Sequence, residues 1–228
     1  MKIAAFDTSS VSGSIALLEG TRLIAELTVG RVGTHSGWLL PAFNALLKDS
    51  GVTLSEIDLY AASIGPGSFT GLRIGISTVK GLAWAAGRRA VGVSTLAALA
   101  HNLRSSNMPV CPILDARKGE VYAALYEWEG ARPRILMEES SIAPDALFRR
   151  VKEAAPSGPV IFLGDGLGVY EKAVTTALPD AIIAPAGLWP VRAFNVGLLA
   201  RESADKAKEA NELLPLYLRK SEAEIKAG

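Results

Sequence analysis

Residues 65–75, with the sequence GPGSFTGLRIG, constrain the fold more than any other segment of this 228-residue chain. An apolar run at 59–64 precedes them, and a small-residue segment of helical length follows at 72–86. Three glycines and one proline within seven residues predict a tight connection, because glycine permits positive φ and proline fixes φ. The pattern therefore predicts a strand, a rigid turn and a helix that Ser68 or Thr70 caps.

A glycine-rich turn before a helix can bind a phosphate group, because backbone N–H groups and the helix dipole are directed at it. This segment lacks the Gly-Lys-Ser/Thr ending of a Walker A loop and does not match GxGxxG. The sequence therefore leaves two interpretations open. The turn binds a nucleotide, or it serves another purpose.

Glycines interrupt the helix after the turn, and each costs about 0.8–1.0 kcal/mol relative to alanine in a helix interior. We expect Gly71, Gly75 and Gly81 to allow a close approach, either by another helix or by this chain's own sheet. An earlier helix is predicted over 36–50, ending at Gly51, with apolar residues along one face. The two helices carry more apolar surface than one sheet face needs, which favours a partner-facing pair.

A strand–Asp–polar turn–strand pattern occurs twice, and Asp7 and Asp115 hold equivalent places in the two copies. Helices and strands follow each copy, and a last helix is predicted over 191–207. The repeat predicts an α/β fold of two duplicated, RNase H-like lobes, similar to the actin-like ATPase (ASKHA) superfamily. We place the N-terminal lobe at 1–103, with 191–228 packing back on it, and the C-terminal lobe at 104–190.

Composition narrows the function classes. Hydrophobic residues make up 49% of the chain, which predicts a packed globular protein. The net charge of +1 gives no overall field to attract RNA, so RNA binding needs a local patch or a partner. A single cysteine, Cys111, excludes an internal disulfide and a thiolate metal cluster. We see no signal peptide and no apolar run near ~20 residues, so we expect a cytoplasmic protein with no membrane contact.

The residues for chemistry are few. The two histidines, His35 and His101, have Leu39 and Ser105 four positions later, so neither forms a helical metal pair. A peptidase is an alternative, but Ser68 is not in a G-x-S-x-G motif and no triad is legible.

Six segments together resemble one family, the bacterial tRNA threonylcarbamoyladenosine biosynthesis proteins called TsaB or YeaZ. The segments are FDTSS at the start, HSGWLLP at 35–41, GPGSFTGLRIG at 65–75, KGLAWA at 80–85, LDARKGEVYAALY at 114–126 and PLYLR at 215–219. The chain departs from the family pattern at Gly37-Trp38, where the family typically has charged residues.

The resemblance implies a role in forming N6-threonylcarbamoyladenosine at position 37 of tRNAs that read ANN codons. It implies a non-catalytic subunit that dimerises with and activates a TsaD-type catalytic subunit, with a TsaE-type ATPase completing the complex. It also implies that a homodimer can form, that tRNA is contacted through the complex, and that the complex uses ATP, ADP and Mg²⁺. The chain itself is expected to carry no cofactor and no metal.

The resemblance and the apolar helix faces together imply a partner interface on the two N-lobe helices. Its expected residues are Leu39, Leu40, Phe43, Leu47, Phe69, Leu72, Arg73, Ile76 and Lys80.

Two other interpretations stay open. An ATP-dependent phosphotransferase or ATPase of this fold would use a nucleotide site formed by Asp7, Thr8, Ser9, Asp115, Gly164 and Gly166. In a non-catalytic subunit this site would be vestigial. An aspartate at a strand end also commonly caps its own turn, so either aspartate alone has a structural explanation. A regulatory binding module unrelated to tRNA is the remaining alternative.

Overall fold

The computed structural model describes residues 1–129 and 132–219, which form two compact units. The first unit contains Met1–Ala98 and Pro190–Leu216, and the second contains Leu99–Trp189 and, among the described residues, 217–219. Each unit holds one mixed sheet of five strands among these residues, so the predicted duplicated α/β fold is confirmed. In this part of the chain no helix is long and apolar enough to cross a membrane.

The first sheet has the strand order β3-β2-β1-β4-β5. Its strands are β1 (Lys2–Asp7), β2 (Gly13–Glu19), β3 (Arg22–Val29), β4 (Leu59–Gly65) and β5 (Arg89–Ser94). β1, β2 and β3 are antiparallel, whereas β4 runs parallel to β1 and β5 runs parallel to β4. The carboxyl ends of β1 and β4 therefore meet at one edge, which brings the turn after Asp7 beside the glycine-rich turn.

The second sheet repeats this arrangement with the order β10-β9-β6-β7-β8. Its strands are β6 (Val110–Arg117), β7 (Glu120–Glu129), β8 (Arg132–Ile142), β9 (Ile161–Leu163) and β10 (Ile182–Ile183). β6, β7 and β8 are antiparallel, and β9 runs parallel to β6.

Six α-helices accompany the sheets in the described ranges: α1 (His35–Ser50), α2 (Phe69–Ala85), α3 (Thr95–Ala100), α4 (Pro144–Ala154), α5 (Leu167–Ala177) and α6 (Ala193–Glu202). In the first unit α1 and α2 cover one sheet face, and the ring of Phe43 meets Phe6 edge to face at 4.9 Å. α6 packs on β1 and β2, where Gly197 meets the side chain of Leu18. The outer sides of α1 and α2 therefore lie away from the sheet.

The predicted first helix is confirmed, and Gly51 ends it with φ 68°. The predicted last helix is too long, because α6 ends at Glu202. Beyond it, Lys208 exchanges two backbone hydrogen bonds of 3.0 Å with Ala90, at the open edge of β5. Pairing with a strand edge satisfies backbone groups that a longer helix would have bonded internally. We also expected 191–228 in the N-terminal lobe. Residues 217–219 instead belong to the second unit, where Arg219 donates a hydrogen bond to the Ala116 carbonyl, and residues 220–228 of that prediction lie outside the described residues.

The glycines of α2 have a specific structural reason. A Cβ on Gly71 would overlap the Thr8 carbonyl oxygen, and a Cβ on Gly75 would overlap the Thr8 hydroxyl. Gly81, in contrast, has nothing within 4 Å of its Cβ position. Of the two alternatives left by the sequence, close packing within the chain therefore explains Gly71 and Gly75 and does not explain Gly81.

We predict opposite effects for alanine at these two kinds of position. Gly71→Ala forces α2 away from a backbone carbonyl and should lower the free energy of unfolding by at least 1–3 kcal/mol. Gly81→Ala, the matched control, should leave it unchanged or raise it by up to ~0.8 kcal/mol. Urea unfolding of both variants measures this, and equal effects would contradict the packing described here.

Candidate functional site

The polar turn after β1 is filled by groups of the chain itself. The Thr8 hydroxyl donates to the Gly71 carbonyl at 2.8 Å, and the Ser68 backbone N–H donates to the Ser9 carbonyl at 2.7 Å. The Ser9 hydroxyl donates to Oδ1 of Asp7 at 2.7 Å. Side chains that line a phosphate turn in a nucleotide-binding protein are thus already hydrogen-bonded within this unit.

Asp7 is fully buried at the end of β1. Burial raises the pKa of its carboxyl group to about 6, and neighbouring serine hydroxyls offset only part of this shift. Its second oxygen, Oδ2, has no hydrogen-bond partner among the described residues. The carboxyl group of Asp7 is therefore shielded from solvent in this structure.

In the second unit the predicted nucleotide residues support a turn at the sheet edge. Oδ1 of Asp115 accepts a hydrogen bond from the Arg117 N–H at 2.8 Å, so this aspartate caps its own turn. Gly164 has φ 114°, and a Cβ there would overlap the Ile113 carbonyl. The Gly166 N–H donates to that same carbonyl at 3.2 Å. Both glycines therefore have a packing role against β6.

His35 and Ser68 also have structural partners, and His101 is buried. Nε2 of His35 lies 2.9 Å from the Ser10 carbonyl, and burial lowers the pKa of His101 to about 4. The Ser68 hydroxyl accepts a hydrogen bond from the Gly71 N–H and caps α2, as the sequence predicts. Within 1–129 and 132–219, no group of three or more His, Cys, Asp or Glu residues could hold a metal ion.

The nine predicted interface residues fall into two sets. Four are nearly completely buried in the core beneath α1 and α2: Leu39, Phe43, Leu72 and Ile76. The other five are exposed or half-buried: Leu40, Leu47, Phe69, Arg73 and Lys80. The first set shapes the face from within, and only the second set offers atoms to a partner. The interface itself stays a prediction.

Trp84 was not among the site residues predicted from the sequence, and its side chain is 81% exposed near the end of α2. It continues a stripe of exposed residues on α2 that also contains Arg73, Ser77 and Gly81. On α1, Leu40 is 51% exposed beside the exposed Pro41 and Asn44. The signal was available, because Trp84 follows Gly81 and Ser77 at helical spacing on the side away from the buried residues.

The departure at Gly37-Trp38 has an internal explanation. Trp38 is half-buried, and its ring lies against Gly13 at the start of β2, where a Cβ would approach the ring to 2.7 Å. Gly37 is exposed at the start of α1. The tryptophan therefore anchors the first turn of α1 to the sheet and does not extend the outer face.

Comparisons with known proteins find similar proteins of tRNA threonylcarbamoyladenosine synthesis. The family model for TsaD, the tRNA N6-adenosine threonylcarbamoyltransferase, matches residues 32–227. The TsaB tRNA threonylcarbamoyladenosine biosynthesis protein of Bacillus subtilis is 33% identical, over 99% of this chain and 97% of that protein. The solved structure of YeaZ from Pseudomonas aeruginosa is 31% identical with a TM-score of 0.79, over 95% of this chain and 99% of that one.

A more distant neighbour shows the breadth of the fold. The activator of 2-hydroxyisocaproyl-CoA dehydratase from Clostridium difficile, solved with bound ADPNP, has a TM-score of 0.51 at 11% identity. The match covers 95% of this chain and 100% of that one. The chain thus has the two-sheet α/β fold of the actin-like ATPase superfamily, and this likeness supports the fold alone.

The burial of Asp7 generates a prediction about pH. Its folded pKa of about 6 lies above the ordinary value of 3.8, so its contribution to stability is present below pH 3.8 and is lost as the pH rises through about 6. Asp7→Asn removes this dependence. At pH 7.5 the free energy of unfolding of the variant should exceed that of the wild type by on the order of 1–3 kcal/mol.

Urea unfolding between pH 4 and pH 7.5 tests this difference. His101 titrates in both proteins and therefore cancels in the comparison, and Asp180→Asn, at an exposed position, is the matched control. A wild type and an Asp7→Asn variant with parallel pH profiles would contradict the buried ionisable carboxyl group.

Proposed function

The chain belongs to the TsaB family of tRNA threonylcarbamoyladenosine biosynthesis proteins, and from this membership we propose that it acts in that pathway as a non-catalytic subunit. Its role is to bind and activate a TsaD-type catalytic subunit that transfers the threonylcarbamoyl group to adenosine 37 of tRNA. A TsaE-type ATPase and the tRNA bind to this assembly. We propose that the assembly acts in the cytoplasm.

The observation that carries this proposal is that the polar groups of the turn after β1 are hydrogen-bonded within the chain. Phosphoryl transfer needs groups that are free to donate hydrogen bonds to the nucleotide's phosphates, and a carboxylate that is free to bind Mg²⁺. Here Thr8 and Ser9 are hydrogen-bonded within the chain, and Asp7 is buried with a raised pKa. These features support a subunit that contributes surface and leaves the use of ATP and Mg²⁺ to its partners.

The outer face of α1 and α2 is the surface that fits this role. Its exposed residues on α2 are small or neutral over most of the stripe, with Arg73 at one end and Trp84 at the other. Small residues allow a partner helix to approach closely, and an exposed tryptophan is a common energetic anchor in protein interfaces. Gly81, open to solvent one turn before Trp84, leaves a recess for a partner side chain.

The match to the TsaD family model supports a partner of similar architecture. Residues 32–227 include α1 and α2 in full, so a TsaD-type protein would present an equivalent helix pair. Two such pairs can pack as a bundle about an approximate twofold axis. A second copy of this chain satisfies the same geometry, and a homodimer is therefore the expected competitor.

An ATP-dependent phosphotransferase is the second candidate, favoured by the fold alone. It predicts Mg²⁺-dependent phosphate release by the purified chain and a rise in melting temperature with ATP. The proposal predicts neither effect.

Reconstitution tests the proposed function. The chain, a TsaD-type subunit, a TsaE-type ATPase, threonylcarbamoyl-adenylate and substrate tRNA should form modified adenosine, measured by mass spectrometry of nucleosides. Omission of this chain should abolish the product. An undiminished yield without it would refute the proposal.

Variants of the outer face test the interface. Leu40→Glu places a charge on α1, and Trp84→Ala removes the exposed ring, while both positions lie outside the buried core. Trp84→Ala should weaken binding to the TsaD-type subunit by roughly 30-fold, the effect of losing an anchor of about 2 kcal/mol.

Titration calorimetry measures this loss, and Leu40→Glu should weaken binding at least as strongly. Val169→Glu, at a 64% exposed apolar position on α5, is the matched control and should bind as the wild type does. Wild-type affinity in both interface variants would refute the proposed face.

A further inference from the structure

The turn between β6 and β7 holds two cationic side chains in a backbone conformation that L-residues rarely adopt. Arg117 has φ 62° and Lys118 has φ 54°, and Gly119 follows with φ 79°. Arg117 pairs with Glu120, so Lys118 and Gly119 form a two-residue hairpin turn. The register shifts between Asp115 and Arg117, so the strand carries an irregularity directly before the turn.

Residue types other than arginine and lysine are favoured at both positions, because the backbone there has positive φ. A two-residue turn with positive φ at both positions favours Asn-Gly, and an irregular strand position with positive φ favours glycine. Within the described residues, Arg117 and Lys118 are the non-glycine residues with positive φ. Residues that oppose the local backbone preference are enriched at functional sites.

Contacts from behind hold this turn in place. Asp115 accepts from the Arg117 N–H at 2.8 Å, and its other oxygen lies 3.2 Å from the Arg117 guanidinium. Arg219 donates to the Ala116 carbonyl at 3.3 Å and lies 3.6 Å from Glu120. The Ser141 hydroxyl donates to Glu120 at 2.8 Å.

The two cationic side chains are the more exposed charged groups of this turn. Asp115 and Glu120 are half-buried and engaged on the inner side, whereas the Arg117 side chain is 79% exposed and Lys118 is exposed beside it. A guanidinium has five N–H donors, so the contact with Asp115 leaves others that can bind a second anion. The tip presents two positive side chains on a backbone that the contacts beneath it fix.

We propose that Arg117 and Lys118 bind the phosphodiester backbone of the substrate tRNA. Arginine and lysine on a protruding turn are suited to phosphate oxygens, which fix the position of an RNA and carry no sequence information. The chain has a net charge of only +1, so a local contact of this kind is what its charge allows.

This inference rests on the proposed function, and one variant separates the contact from folding. Arg117→Gly together with Lys118→Asn gives the turn the residues that its backbone prefers, so the melting temperature should stay the same or rise. The charges are lost, so tRNA should bind more weakly. The negative slope of log affinity against log salt concentration should become shallower by about 1 to 2, about one for each phosphate contact removed.

The measurement is fluorescence anisotropy of labelled tRNA with the assembled complex, at several salt concentrations. Arg149→Gln with Arg150→Gln removes two exposed cations from α4 of the same unit and is the matched control, expected to keep the wild-type slope. A second variant, Arg117→Gln with Lys118→Gln, removes only the charges and should reproduce the loss.

The possible results separate the tRNA contact from the proposed function of the chain. An unchanged salt slope in both turn variants would overturn the tRNA contact and leave the proposed function standing. A loss of ATP or inorganic phosphate binding with an unchanged tRNA slope would also overturn it, because the anion would then be a free phosphate compound. Product formation that does not need this chain would overturn the proposed function itself.

Discussion

The close approach of α2 to the turn after β1 is the constraint on which the first unit depends. Gly71 and Gly75 let the helix lie directly against Thr8, and the Thr8 hydroxyl bonds to the Gly71 carbonyl. This contact holds the start of α2 against the polar turn, next to the buried Asp7. It also determines which side of α2 faces outward. The glycine-rich segment therefore acts as a structural clamp in this chain.

The sequence predicted the parts of the fold that depend on local pattern. The apolar spacing gave α1, Gly51 marked its end, Ser68 was a predicted cap of α2, and the repeat of a hairpin predicted the duplicated fold. These features depend on neighbours within a few residues, so they can be read without a structure.

The rest could not be predicted because it depends on contacts distant along the chain. No local pattern says that Gly71 meets Thr8, 63 positions earlier, or that Lys208 pairs with Ala90 and shortens the last helix. Helical spacing placed Leu72 on an apolar face of the helix, but it did not predict whether the sheet or a partner covers that face. The positive φ of Arg117 depends on a register shift between two strands and leaves no sequence signature.

The central claim is that the outer face of α1 and α2 is the docking surface and that the chemistry belongs to the partner. Hydroxyl-radical footprinting of the free chain and of its complex with a TsaD-type subunit tests this most directly. The account predicts that Trp84 and Leu40 lose most of their oxidation in the complex while Val169 on α5 keeps its rate. Unchanged oxidation of Trp84 in a complex shown to be assembled would contradict the account.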